Sequence, residues 1–352
     1  FDLSLIPIEA LDEIQVWRGG APSWINQGSI GGVLRLMPRR QESNEIGARV
    51  TAGSFESWRA NAYGGYGGEK VRFFGTAGGA GAKNDYPYLD DGGTVFDPTD
   101  DVERRRQNAD FTEGLGYANV SAETSDRSTL DMVFLGVGRD RGEPGPGSSP
   151  VLTARTKTTR LVGSASWLQE DDGQYPYRLQ VLASYDYWRN RFSDPLGRIG
   201  SNAPKETDDR NHTVFGRVAS TVDLQRWLEL TAVATGRYYA RKPFDDLATR
   251  QDPNSDRLTF SGTVETNFHG KAGNVLLELR PSVLLTWTRA MVATVNDFGQ
   301  DEGQNSTDLL PTYRVAGAVG PLDWLAIRGS VSSGFRLPTV LELCGNQGVV
   351  RG

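Results

Sequence analysis

From about residue 46 onward the chain divides into segments of roughly 9 to 16 residues in which apolar and polar side chains alternate one for one. A period of two sends successive side chains to opposite faces of a strand, so each segment predicts a strand with one oily and one wet face. Between residues 257 and 268, Leu258, Phe260, Gly262, Val264 and Phe268 alternate with Arg257, Thr259, Ser261, Thr263, Glu265 and Asn267. Between 275 and 288, Val275, Leu277, Leu279, Val283, Leu285 and Trp287 alternate with Glu278, Arg280, Ser282, Thr286 and Thr288, while Leu276 and Leu284 intrude on the polar set. Leu228, Leu230, Ala232, Ala234 and Tyr238 oppose Glu229, Thr231, Thr235, Arg237 and Arg241 in the same way. A two-sheet sandwich would show this alternation too, so the pattern leaves open what the oily face meets.

The links between segments narrow the choice. Short ones at residues 67–70, 124–127, 171–176, 270–274 and 320–323 take turns with long ones at 82–105, 140–155, 191–206, 242–255 and 290–308. A sandwich has no reason to keep that order, whereas outer-membrane barrels set tight turns on the periplasmic side and long loops outside. Trp167, Tyr177, Tyr185, Tyr187, Trp227 and Tyr239 gather near strand ends, as an interfacial girdle requires. The 42 glycines suit many strands and turns. Mean hydropathy is only -0.45, but a barrel strand needs apolar side chains at alternate positions alone. A net charge of -6 without a dominant basic stripe argues against a nucleic-acid partner. The expected fold class is all-β, a transmembrane antiparallel barrel of about 13 strands running from Ile46 to near Arg336. Single-chain bacterial barrels favour even strand numbers, so the barrel is expected to be incomplete, with a mature or truncated start at Phe1.

Residues 11–39 have another texture. Ile14, Val16, Arg18 and Gly19 lead into a Gly/Pro turn, and Gly28, Ile30, Gly31, Gly32 and Val33 open a second strand, with the glycine pair allowing positive φ or close backbone approach. This stretch resembles the end of the plug domain of TonB-dependent receptors, where E-V-L-R-G-P is followed by G-A-I-G-G-V-I-N-I. Gln15, Gly20 and Trp24-Ile25-Asn26 depart from that pattern. Gly53-Ser54-Phe55 and Gly334-Phe335-Arg336-Leu337-Pro338-Thr339 also look like barrel motifs of the family. The resemblance implies two regions, residues 1–40 as the C-terminal part of a plug and 46–352 as the first part of a barrel of about 22 strands.

It further implies a receptor in the bacterial outer membrane that takes up a scarce nutrient, such as a ferric siderophore or cobalamin. Its partners would be outer-membrane lipid, a small-molecule or metal-chelate ligand, and the TonB-ExbB-ExbD complex, which pulls the plug through a box upstream of these residues. No covalent chemistry is implied, and no catalytic His/Ser constellation is present: His212 and His269 fall near opposite ends of neighbouring strand pairs. In family terms Arg18 anchors plug to barrel wall, with Glu229, Glu265 or Glu278 as possible lumen partners, because a buried charge must be paired. Gly19, Gly28, Gly31 and Gly32 complete the plug motif. A passive porin and a soluble β-rich enzyme or glycan-binding protein are the competing readings.

Three loop features are further candidates. Asp90, Asp91 and Asp97 lie near Gly92-Gly93 in a carboxylate-rich loop that could cage a structural Ca²⁺, against the alternative of plain solvation. No other cofactor is expected. Tyr86 and Tyr88 of that loop, and Trp188 at the top of a strand, could grip a ligand, with Trp188 facing inward while Tyr185 and Tyr187 face lipid. Arg104, Arg105 and Arg106 could meet an anionic ligand, against the alternatives of a lipopolysaccharide contact or plain solubility, and Cys344 could pair with a cysteine outside these residues or stay free.

Overall fold

The computed structural model describes residues 6–17, 32–94, 96–200, 203–247, 251–295, 301–322 and 324–338. After a 3₁₀ turn at Ile8–Ala10 come β1 (Leu11–Trp17) and β2 (Val33–Pro38), which pair only with each other, Trp17 opposite Val33 and Ile14 opposite Leu36. The next three strands are β3 (Glu45–Gly53), β4 (Ser57–Gly67) and β5 (Val71–Ala82), followed by a small hairpin of β6 (Pro87–Asp90) and β7 (Val102–Arg105). Then come β8 (Phe111–Ser125), β9 (Ser128–Gly142), β10 (Arg155–Asp171), β11 (Tyr177–Asp194), β12 (Lys205–Gln225) and β13 (Leu228–Lys242). The series ends with β14 (Ser255–Ala272), β15 (Val275–Val295), β16 (Asp301–Leu322) and β17 (Leu325–Ser332).

Every strand from β3 to β17 except β6 and β7 joins one antiparallel sheet of 13 strands, each bonded to its neighbours in chain order. That is the number and the meander expected from the alternation. β3 and β17 form its two edges and do not pair with one another, so the sheet is not closed.

Register decides what each face carries. On the face that receives the β1–β2 unit, Thr231, Thr263, Glu265, Thr286 and Thr288 line up across β13, β14 and β15. Thr286 and Thr288 are 3% and 2% exposed, whereas Val283, Phe260 and Leu309 on the opposite face are 59%, 52% and 60% exposed. The wet set is thus inside and the oily set outside, the reverse of a soluble sandwich and the arrangement required where lipid solvates the outer face. Inner hydroxyls satisfy one another across strands, as between Ser261 and Thr286 at 3.0 Å and between Thr221 and Thr231 at 3.1 Å. Leu284, which breaks the alternation, is buried on the inner face. Pro281 has no N–H to give, and the β14–β15 ladder skips Thr266 and Asn267 opposite it and Arg280.

Three expectations need revision. The first long link carries its own hairpin, β6–β7, because Asp90 and Asp91 turn the chain back through Gly92 and Gly93, both at positive φ. The link expected at 290–308 shrinks to 296–300, since β15 and β16 reach 21 and 22 residues. A tilted strand crosses a bilayer in about 9–11 residues, so these two run well past it, and beyond the lipid both faces are wet and alternation lapses. Tyr239 also leaves the girdle. It sits on the inner face and donates to Asn211 Oδ1, while Trp167, Tyr177, Tyr185, Tyr187 and Trp227 remain outside or at a turn.

Candidate functional site

The 3₁₀ turn and the β1–β2 sheet sit on the inner face of the large sheet. Ala10, fully buried, packs with Phe74 of β5, Tyr117 of β8 and Leu135 and Val137 of β9, an apolar cluster on that largely polar wall. Charge flanks it. Glu9 pairs with Arg49 of β3 at 2.7 Å, Arg39 pairs with Glu45 at 3.0 Å and lies over the Phe74 ring at 5.3 Å, and Asn119 donates to the Arg39 carbonyl at 2.8 Å. A small sheet with both faces polar or half-buried could not hold itself together; these contacts with the wall supply what it lacks.

Its other side reaches the far wall. Trp17 shares a cavity of about 540 Å³ with Glu278, Arg280, Arg314 and Arg328 from β15, β16 and β17. Arg35 of β2 bonds Gln15 at 3.4 Å and comes close enough to Arg217 of β12 for their charges to interact. Burial draws the Arg35 guanidinium below its usual range, with Glu13 opposing the shift. The unit therefore bridges the lumen between β3–β9 and β12–β17. Glu229, Glu265 and Glu278 all fall on the inner face, and Glu278 already has Arg280 as an ion-pair partner. Arg18, Gly19, Gly28, Gly31 and Cys344 lie outside the described residues. Gly32, immediately before β2, has φ +126°, a conformation that side chains disfavour.

At the long-loop end two links interlock. Tyr88 of the β6–β7 hairpin donates to the Gly147 carbonyl at 2.9 Å, and Arg106 lies over the Tyr88 ring at 5.7 Å and bonds the Gly145 carbonyl. Asn108, at φ +53°, donates through Nδ2 to the carbonyls of Ala154, Val151 and Glu143 at 2.8, 3.0 and 3.2 Å. Nothing in the spacing of the sequence marks Asn108 as the latch. Its tolerance of positive φ is the one hint.

The remaining candidates separate. Tyr86 is exposed and meets Phe55 edge-on at 6.1 Å, apart from Trp188, which register places on the inner face between Arg160 and Asn211. Asp90 is buried against Arg104 at 3.0 Å and accepts from Gly92 N, Asp91 accepts from Gly93 N, and Asp97 accepts from both Thr99 N and Oγ1. Each carboxylate thus closes its own turn. Among the described residues no three His, Cys, Asp or Glu side chains gather as a metal would need. Hydrogen bonds from Thr99 hold the Asp97 carboxyl below the ordinary range. Arg105 is drawn to Asp85 at 3.1 Å, so all three arginines of that run are engaged within the loops. His212 bonds Tyr185 at 2.8 Å on the outer face, while His269 lies near the short-turn end of β14 on the inner face and gives its backbone N–H to the Trp227 carbonyl.

No protein-family sequence model matches the chain, and no curated protein matches it in sequence. Solved structures do. The copper transporter OprC superposes with a TM-score of 0.74 at 14% identity, over 97% of this chain and 53% of that one. The FrpB iron transporter of Neisseria meningitidis in its apoprotein form gives 0.75 at 11% identity, over 97% and 55%. A double mutant of the Serratia marcescens hemophore receptor HasR, in complex with its hemophore HasA and heme, gives 0.66 at 13% identity, over 95% and 52%. The chain spans about half the length of the solved structures it matches. With the oily face outward, the polar face inward and a small sheet lodged against that inner wall, it has the fold of the TonB-dependent outer-membrane receptors.

Proposed function

We propose that this chain is the front part of an energy-coupled outer-membrane receptor that imports a metal or metal chelate, with ferric siderophores, haem, copper and cobalamin as the substrates to try. The carrying observation is the seated β1–β2 unit: Ala10 buried among Phe74, Tyr117, Leu135 and Val137, with Glu9–Arg49 and Arg39–Glu45 beside it. A passive pore has no use for an obstruction fixed to its wall. A transporter that must stay shut until pulled does, and the fixing contacts are few: one small apolar cluster and two ion pairs that keep part of their surface in solvent. The pulling partner would be the TonB-ExbB-ExbD complex, acting through a box upstream of Phe1. On this reading Arg18 helps fasten the plug, and Tyr86, Tyr88 and Trp188 contribute to the ligand's path from the long loops into the lumen.

The test is uptake of radiolabelled ferric siderophores, haem, copper and cobalamin by cells carrying or lacking the gene, with and without a protonophore. Uptake of one ligand that needs both the protein and the proton-motive force supports the proposal. Uptake indifferent to the protonophore, together with steady open-channel conductance in planar bilayers, would make the protein a passive pore.

A further inference from the structure

One part of the outer face carries almost no side chain. Register aligns Ala60, Gly79, Gly114 and Gly138 in a row across β4, β5, β8 and β9. The row below reads Ala62, Ala77, Gly116 and Gly136, and the next Gly64, Gly75 and Ala118 before Phe134 closes it. Nothing larger than a methyl group projects from these positions, and the wall there is hollowed into a depression of about 660 Å³. Trp58 stands above the hollow, Tyr66 and Phe73 below it, and Ile46 and Leu161 to either side, all of them exposed. On β14 and β15, by contrast, Phe260, Val264, Val283 and Leu285 fill the lipid face.

Some of these glycines have a reason inside the chain. A Cβ on Gly75 would come within 2.9 Å of Phe73 Cζ, and one on Gly136 within 3.4 Å of Leu161 Cδ2, so neighbouring side chains already lie over them. Gly114, Gly116 and Gly138 are different: a Cβ on any of the three would meet no atom within 4 Å, and none of them has a positive φ. Glycine weakens a strand, because it packs nothing and loses more backbone freedom on folding than any other residue. Three neighbouring glycines that the chain itself does not require point to something outside it that comes close to the backbone.

A barrel wall is convex, so two walls with full side chains touch along a line, and a hollow four strands wide removes that obstacle. Strands about 4.8 Å apart and outward positions about 6.8 Å apart give a floor of roughly 400 Å². The exposed rim about doubles it, to roughly the 800 Å² per partner of a standard interface. Acyl chains fill such a space only by giving up their own freedom, whereas a rigid wall has little to lose. Lipid also gives apolar surfaces no hydrophobic reason to associate, so close backbone approach through small residues is what favours protein over lipid. Floor and rim bear no charge; the nearest outward ones, Asp110 and Asp140 with Arg155 and Lys157, lie above Gly138 and pair with one another. The surface is therefore matched by its own copy rather than by a partner of complementary charge. Copies inserted from one side share height and orientation, so a two-fold axis along the membrane normal beside β8 sets Gly114 and Gly116 of each against the other. We propose that this hollow is a homodimer contact, a second copy of the chain docking on it within the outer membrane. The inference rests on the outer-membrane barrel fold but not on what the receptor imports.

The experiment mixes donor- and acceptor-labelled copies of the full-length protein in liposomes of outer-membrane lipid and follows energy transfer as added lipid dilutes the protein. Gly114→Leu with Gly138→Leu fills the floor and should move the association midpoint at least about tenfold toward higher protein density, as overfilling any packed contact does. Gly262→Leu is the control: it lies on the outer face of β14, a Cβ there also meets nothing within 4 Å, and it should match the wild type. Heat-modifiable migration reports a folded barrel for each variant. Should G114L/G138L fail to fold, G116V alone carries the test and should move the midpoint at least about fivefold. A wild type that stays monomeric at every density overturns the proposal, whether the hollow then proves to hold a retained lipid or a different outer-membrane protein. Equal association by wild type and the filled variants, or equal loss in G262L, overturns it as well. Loss of heat-modifiable migration in the wild type would count against the barrel itself rather than against the hollow.

Discussion

Asn108 is the side chain on which the long-loop end most depends. Replacing it with alanine removes an Nδ2 that reaches three carbonyls, two of them on residues that are 2% and 0% exposed, Val151 and Ala154. An amide nitrogen carries two hydrogens, so two full bonds and one shared one are lost, at about 1 kcal/mol net each for the two. Alanine also tolerates φ +53° less well than asparagine, by about 1 kcal/mol. The sum, about 3 kcal/mol, should appear as local opening rather than global unfolding, because no ladder bond of the large sheet is touched. Hydrogen exchange reads it directly. The amides of Glu143 and Val151, bonded to the carbonyls of Ala154 and Pro144, should exchange about a hundredfold faster in N108A, while amides in β12 and β13 stay unchanged. Asn108→Gly separates the two terms: it keeps the backbone easy and loses only the bonds, so its effect should be about 1 kcal/mol smaller. Exchange in N108A within twofold of wild type, or N108G as fast as N108A, would refute the reasoning.

Other outcomes follow from the same geometry. Ala10→Leu overfills the contact with Phe74, Tyr117, Leu135 and Val137, costs about 1–3 kcal/mol, and should loosen the plug, read as raised sensitivity of cells to large antibiotics excluded by the wild type. Trp188→Ala, on the inner wall between Arg160 and Asn211, should weaken binding of the transported ligand severalfold in a titration while leaving heat-modifiability intact; unchanged affinity removes Trp188 from the path. Asp97 is held below the ordinary carboxyl range by Thr99, so its turn is favoured above the unfolded value of about 3.9 and loses that contribution as pH falls through the lower folded value. A carboxyl-carbon NMR titration of Thr99→Val should show the Asp97 midpoint moving up; an unmoved midpoint would exclude the bond. Finally, residues 1–352 expressed alone should aggregate rather than insert, since β3 and β17 present unpaired edges that lipid cannot satisfy; a heat-modifiable, protease-resistant monomer would contradict this.

Much of the architecture was legible because side-chain period and backbone geometry are the same fact in a strand. The alternation of Leu258, Phe260 and Val264 with Thr259, Ser261 and Glu265 fixed both the strand β14 and its two faces, and the order of short and long links set the meander. A soluble sandwich could share every one of those strands. The exposure of Val283 beside the burial of Thr286 excludes it, and exposure is a property of what lies across the sheet, not of the strand. The β6–β7 hairpin escaped because the loop's aspartates read as a metal cage or as plainly solvated groups until their partners, Arg104 and the backbone amides of Gly92 and Gly93, are known.

What the sequence determined by itself is local: strand positions, turn positions, the glycine before β2, and the inward aim of Trp188, each set within a few residues by sterics and periodicity. Only the tertiary structure decided which distant side chains meet. Lys157, Arg191, Arg210 and Lys242 lie up to 85 residues apart in the chain, and no period relates them. They fall in one row because the tight turns of β10–β11 and β12–β13, and the need to keep the oily set of each strand on the outer face, fix the pairings to the single residue.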